Sequence, residues 1–204
     1  MAAISGSVMR ALKKHGLLLL QDAALPSVAS LVAGEPVSGS WWGHKKGRDI
    51  WLASEALADH PDVLTVKLVS GKVTFVHRRL WPAVLSVASS REPWQTQKLS
   101  PVAMRLLALV GEEGEVRTDA VRLKGAAAAK ELECRLLVHS DEIHTKSGAH
   151  AKRLSTWERW SRREKLTAKT MPPAKAKKIL EEALARLCEP NDATARLPWQ
   201  KGNK

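Results

Sequence analysis

Apolar positions along this chain recur at two spacings, one helical and one alternating, and the change between them divides the sequence into elements. Ser7–His15 has helical spacing and ends at Gly16, a residue suited to a helix stop. The run Leu17–Leu20 reads as a short strand or a packed continuation of that helix. Pro26–Ala33 reads as a second helix, started by Pro and closed by Gly34. EPVSGSWWGHKKGRD, rich in Gly and Ser, reads as a loop, and helical spacing resumes over Ile50–Ala58. Ile50, Ala53 and Leu57 then face inward, with Trp51 and Ala58 as further candidates, and His60-Pro61-Asp62 ends the helix. LTVKLVSGKVTFVH is the clearest strand signal: two runs rich in Val, Thr and Leu around Ser70-Gly71 predict a hairpin with a two-residue connection. A helix over Leu80–Ala88, with Trp81 and Pro82 near its start, gives that hairpin something to pack against.

Residues Ser89–Lys98 are polar and read as a linker, so domain boundaries are expected at 98, 154 and about 190. Ser100 and Pro101 supply an N-cap and first helical residue, with Val102, Leu106, Leu109 and Val110 inward and Gly111 and Gly114 near the end. A short helix over Thr118–Lys124 and a third over Ala126–His139 follow; the third packs Ala129, Leu132, Leu136 and Leu137 inward. EIHTKSGAHAKRL then reads as strand, Ser-Gly turn and strand. Helix, short helix, helix and β-ribbon is the element order of a winged helix-turn-helix, here within 99–154. Ser155 and Glu158 have capping-box spacing before another helix, and Pro172-Pro173 precedes a last one over Ala174–Cys188, striped by Ile179, Ala183 and Leu187. The fold class is α+β: a helical and hairpin N-terminal region over 1–98, a winged helix over 99–154, and C-terminal helices over 155–190.

At 204 residues and 44% hydrophobic content, the chain can bury a substantial core, roughly 70% of its unfolded surface. Charge adds a partner. The net charge is +12, with 12 basic against 7 acidic residues up to Lys98 and 21 against 14 after it. A basic balance spread over both halves points to a polyanion, DNA above all. The aromatics are eight Trp, one Phe and no Tyr, so each indole carries unusual weight. Two well-separated cysteines, Cys134 and Cys188, and the lack of a signal-peptide pattern or a membrane-length apolar segment make a cytoplasmic location the expectation.

Three basic segments could carry contacts. Trp41, Trp42, His44, Lys45, Lys46 and Arg48 combine indoles for stacking with cations for phosphate on a glycine-rich loop; the same indoles could instead anchor the loop to the core. His77, Arg78 and Arg79 emerge where a strand runs into a helix, and Trp81 beside them suits a core plug. Lys146, His150, Lys152 and Arg153 lie on the expected wing. The third helix offers Lys130 and Arg135, but also Glu131 and Glu133, which repel phosphate. Enzymatic signatures are weak. Cys134, His139, His144 and His150 have metal-ligating chemistry without a compact Cys pair or HExxH spacing, so neither metal nor cofactor is expected.

The segments RLLVHSDEIHTKSGAHAKRLSTWERW, GSWWGHKKG and KVTFVHRRLWP resemble bacterial proteins grouped as AlkZ-related, over about Leu25–Trp160. The resemblance implies distant kinship with winged-helix DNA glycosylases that excise alkylated or crosslinked bases. Those enzymes are longer and carry a Gln-x-Gln or Gln-x-Asp catalytic motif near the N-terminus. The Gln-x-Gln here, Gln95-Thr96-Gln97, lies in the linker and departs from that pattern, so the catalytic role is not carried over to it. Together these features make DNA binding, with duplex or damaged DNA as partner and a role in repair, the leading expectation. Base excision and a non-enzymatic interaction module are the alternatives, and the sequence leaves enzymatic activity and oligomeric state open.

Overall fold

The computed structural model describes residues 6–121, 125–144, 150–166 and 171–200. Mixed helix and sheet make it an α+β protein, with two three-stranded antiparallel sheets. The chain divides into two compact units, residues 1–83 with 174–204, and residues 84–173. The expected boundary after Lys98 therefore falls inside the second unit, and the last helix belongs with the first. None of the described helices is long and apolar enough to cross a membrane.

In the first unit, α1 (Gly6–His15) ends at Gly16, whose φ of +83° turns the chain into β1 (Leu17–Leu19). A side chain is excluded there twice over, because a Cβ would also lie 2.8 Å from Leu80 Cδ1. α2 (Val28–Ala33) is started by Ser27, not Pro26: Ser27 and Ser30 cap each other reciprocally, and Gly34 closes the helix. α3 (Gly47–Ala58) begins three residues before the expected start. It buries Ile50, Ser54 and Leu57 while Trp51 and Ala58 stay exposed, contrary to the inward placement expected of the last two.

The hairpin forms from β2 (Val63–Lys67) and β3 (Val73–His77), with Lys67 opposite Val73. Five residues connect the strands instead of two, and a 3-10 turn over Val69–Gly71 sits in the connection. Leu68 and Val69 at the turn are fully buried, which explains the longer loop: it carries core residues that a tight Ser-Gly turn would expose. β1 adds on the far side of β3, giving the order β1-β3-β2. Val8, Leu12, Leu18, Val28, Leu57 and Phe75 form the core over this sheet. The chain leaves β3 through α4 (Trp81–Ala88), with the Trp81 indole N–H donating to the Val76 carbonyl at 3.0 Å.

The second unit begins within α4, at Val84. The expected linker contains a helical turn, α5 (Pro93–Thr96), and Gln95 within it is fully buried. Then α6 (Pro101–Glu113) starts on Ser100, whose side chain accepts from the Ala103 N–H, and ends at Gly114. A strand not foreseen, β4 (Glu115–Arg117), follows. Residues 118–121 are a turn where a helix was expected; the rest of that expected helix, 122–124, lies outside the described residues. α7 (Gly125–Cys134) stops short of His139 because Leu136 takes a left-handed φ of 53°. His139 instead begins β5 (His139–His144), which pairs with β6 (His150–Ser155), and β4 pairs on the other side of β6. Ala103, Leu106, Val110, Leu132, Leu137 and Leu154 close the core beneath. α8 (Trp157–Arg163) is capped by Thr156, which accepts from the Arg159 N–H; Ser155, the expected cap, is buried in β6. α9 (Pro173–Cys188) packs Ala176, Leu180, Ala183, Leu184 and Leu187 into the first unit; Ala183 and Leu187 of the expected stripe are buried, while Leu180 takes the inward place expected of Ile179.

Candidate nucleic-acid interface

The loop from Gly34 to Gly47 is built around two indoles with opposite fates. A 3-10 turn over Trp41–Gly43 drives Trp41 into a cluster with Ala29, Ala33, Val37 and Ile50, leaving it 8% exposed. Trp42 stacks on it, ring centroids 4.1 Å apart and planes 23° off parallel, yet is 65% exposed. Core anchor and exposed ring, read from the sequence as alternatives, are thus divided between neighbouring residues. Two contacts fix the turn. Gly47 passes so close beneath it that a Cβ would lie 2.9 Å from the Trp42 carbonyl oxygen and 3.0 Å from that of Trp41. The Lys46 ammonium donates to the Val32 and Ala33 carbonyls at 3.1 and 3.2 Å, satisfying the end of α2 where the helix dipole favours a cation.

The other polar residues divide again. His44 Nδ1 accepts from the Lys46 N–H, while its Nε2 and the Lys45 ammonium each lie 3.4 Å from Glu35. The Lys45 ammonium holds the Glu35 carboxyl below its usual range, with His44 adding to the effect. Arg48, in the first turn of α3, is exposed and makes no ion pair among the described residues. Trp51 on the same helix is 40% exposed. Glu35 was not legible as a site residue, because its pairing with Lys45 exists only once the loop folds back.

The second basic segment is more structural than its composition suggests. Arg79 donates to the Lys14 carbonyl at 3.1 Å, and so serves the end of α1. Arg78 lies 5.1 Å over the Trp81 ring and 3.8 Å from Asp62. His77 Nδ1 accepts from the Arg79 N–H, and burial, helped by the Arg79 charge, lowers its pKa.

In the second unit, Arg135 is spent on carbonyls. Its guanidinium donates to Trp94, Gln95, Gln97 and Lys98, the Gln97 contact at 2.6 Å, and clamps the segment before α6. Lys152 pairs with Glu133, whose side chain is only 6% exposed, and Glu133 also accepts from Ser140. Arg153 lies 2.9 Å from Asp141, which Arg163 approaches at 3.1 Å. Lys146 and the Ser147-Gly148 turn lie outside the described residues, as does the His150 side chain. On α7, Ala126, Ala127 and Lys130 are exposed, whereas Glu131 turns back to the Ser100 N–H and Arg135. The acidic residues that make this helix look hostile to phosphate in sequence are engaged by their own unit.

Gln95 and His139 are both buried in the second unit. The Gln95 amide donates to the Ala88 and Arg135 carbonyls, and its oxygen accepts from Ser90 and the Glu92 N–H. An amide so occupied has no capacity left for a substrate. His139, 4% exposed, stacks on Trp160 at 5.5 Å and meets Trp157 edge-on at 5.6 Å. Burial pushes its pKa down to about 4, against the opposing pull of Asp141. Among the described residues no group of three His, Cys, Asp or Glu is placed to hold a metal ion, and Cys134 and Cys188 are not joined in a disulfide.

No curated protein and no solved structure matches the chain. A family model described as AlkZ related matches residues 5–138, more than half of the sequence and including the whole tryptophan loop. The chain belongs to the AlkZ-related family.

Proposed function

We propose that this protein binds DNA, in the repair setting that its family suggests, using the tryptophan loop of the first unit as a principal contact. The observation that carries this reading is the exposed Trp42 ring, laid on a buried Trp41 beside the exposed cations Lys45 and Arg48. An exposed indole next to cations matches the two surfaces of a nucleotide, base and phosphate.

A winged-helix role for the second unit is part of the proposal. Its support is the order α6, β4, α7, β5, β6, with β4 beside β6, and the exposed face of Ala126, Ala127 and Lys130 on α7. Small residues on that face allow close approach to a DNA backbone. The wing supplies fewer cations than its composition implies, since Lys152 and Arg153 are paired internally. The test is a salt-dependent titration with duplex, mismatched and single-stranded DNA. Affinity that falls steeply with salt is expected, because phosphate contacts release counterions. No affinity for any substrate at low salt removes the proposal. Abasic-site assay of alkylated duplex after incubation separates excision from binding.

A further inference from the structure

We infer that the Trp41–Trp42 stack is a platform for a base that lies outside the double helix, so that the protein prefers DNA with an extrahelical or unpaired base over continuous duplex. The inference rests on the DNA-binding reading above and names its substrate class. Its basis is the geometry of one ring. The inner face of Trp42 is covered by Trp41 at 4.1 Å, so an exposure of 65% must belong to the outer face and edges. An open indole face accepts a purine or pyrimidine by stacking, whichever base it is. In intact duplex every interior base is already stacked on its neighbours, and the platform gains nothing from it unless one comes out. A mismatched, bulged or single-stranded base has largely met that cost beforehand.

The platform is also held in place before any ligand arrives. Trp41 is locked in the core, Lys46 ties the loop to the end of α2, and Gly47 sits in van der Waals reach of both tryptophan carbonyls. Little loop entropy remains to be lost on binding, which favours selectivity over adaptability. Lys45, with its side chain 74% exposed, lies three residues from the ring, and exposed Arg48 lies six away. Both are exposed cations close to the ring in sequence, the charge that phosphates flanking such a base would need. Glu35 beside Lys45 disfavours approach of phosphate unless the base contact compensates.

The probe is a duplex with one extrahelical 2-aminopurine, compared with its fully paired counterpart and the single strand, and bound by the full chain. Binding of the bulged duplex should exceed that of the paired one roughly tenfold or more, with 2-aminopurine fluorescence quenched on binding. Trp42→Leu keeps an apolar cover over Trp41 but removes the π-face. It should abolish both the preference for the bulged over the paired duplex and the quenching. Trp42→Phe should retain most of both. If wild type and Trp42→Leu bind paired and bulged DNA alike, the platform is refuted and DNA binding stands. If wild type binds none of the three, both readings fall.

Discussion

The Lys152 ammonium sits on the Glu133 carboxylate, joining β6 of the expected wing to α7 over 19 residues of sequence. Glu133 is buried, so Lys152 is the cation that makes its charge tolerable inside the unit. Lys152→Met should therefore destabilise the protein by about 1–3 kcal/mol, read as a lowered Tm. Replacing both partners, as Glu133→Gln with Lys152→Met, should restore part of that loss, because it leaves no uncompensated charge. A single mutant as stable as wild type would show the pair to be ornamental. Weakened DNA binding by Lys152→Met has meaning only after this measurement.

His139 gives the protein an acid-sensitive element. The unfolded chain takes up a proton near the ordinary histidine pKa of about 6.5, whereas the folded chain resists until about 4 because the ring is buried. Stability from this residue is thus complete above about pH 6.5 and is lost as pH falls toward 4. The full contribution is about 3 kcal/mol. Asp141 faces the ring at 3.8 Å, with Arg153 and Arg163 behind it. Burial works to raise the Asp141 pKa, but its neighbours more than offset this, so its own titration falls lower. Denaturant titrations from pH 7 to 4 should show His139→Leu losing less stability than wild type. Parallel curves would refute the assignment.

Gly47→Ala tests the loop by its sign. Alanine in place of glycine at a helical position normally stabilises by about 0.4–1 kcal/mol. Here the new Cβ would lie 2.9 and 3.0 Å from two backbone oxygens, which can yield only if the tryptophan turn moves. A net loss of about 1–3 kcal/mol is expected, along with greater acrylamide quenching of tryptophan fluorescence as Trp41 is loosened. A variant more stable than wild type would mean that the turn is not held where it is seen.

Local signals in the sequence located elements well and partners poorly. Gly16 and Gly34 end their helices where glycine is needed for positive φ, and the alternation around Phe75 marks the hairpin, because each depends on neighbours in the chain. Gln95 misled in the opposite sense. A polar segment reads as solvated, yet this side chain is buried by partners at Ala88 and Arg135, the second 40 residues away. Lys45 and Lys46 are adjacent and chemically identical, and only the end of α2, 13 and 14 residues earlier, assigns one to structure and leaves the other exposed. Charge alone marks Arg135 and Lys152 as contacts in the sequence; their carbonyl and carboxylate partners are set by tertiary structure. Trp41 and Trp42 were legible as a special pair, but which one is buried depends on the 3-10 turn.

Glu35 makes a prediction in which removing an acid and removing a base have opposite effects. Its carboxylate lies 3.4 Å from both the Lys45 ammonium and His44 Nε2, and so competes with any phosphate for those donors. Glu35→Gln should raise affinity for DNA at low salt. It should also steepen the dependence of log K on log salt by up to about one unit, as Lys45 becomes free to displace a counterion. Arg48→Gln should lower affinity and flatten that slope by about one unit, and Lys45→Gln should do so by less, because Glu35 already engages part of its charge. Arg153→Gln should leave the slope near that of wild type, since Arg153 is already held by Asp141. The measurement is one salt series on paired duplex for all four variants, each first shown to unfold near the wild-type temperature. Because every substitution changes charge by one unit, nonspecific electrostatics alone would give Lys45, Arg48 and Arg153 the same effect. Equal slopes for those three variants would therefore remove the loop as the docking surface, whereas a flat Arg153 response beside two reduced ones places phosphate at the tryptophan turn.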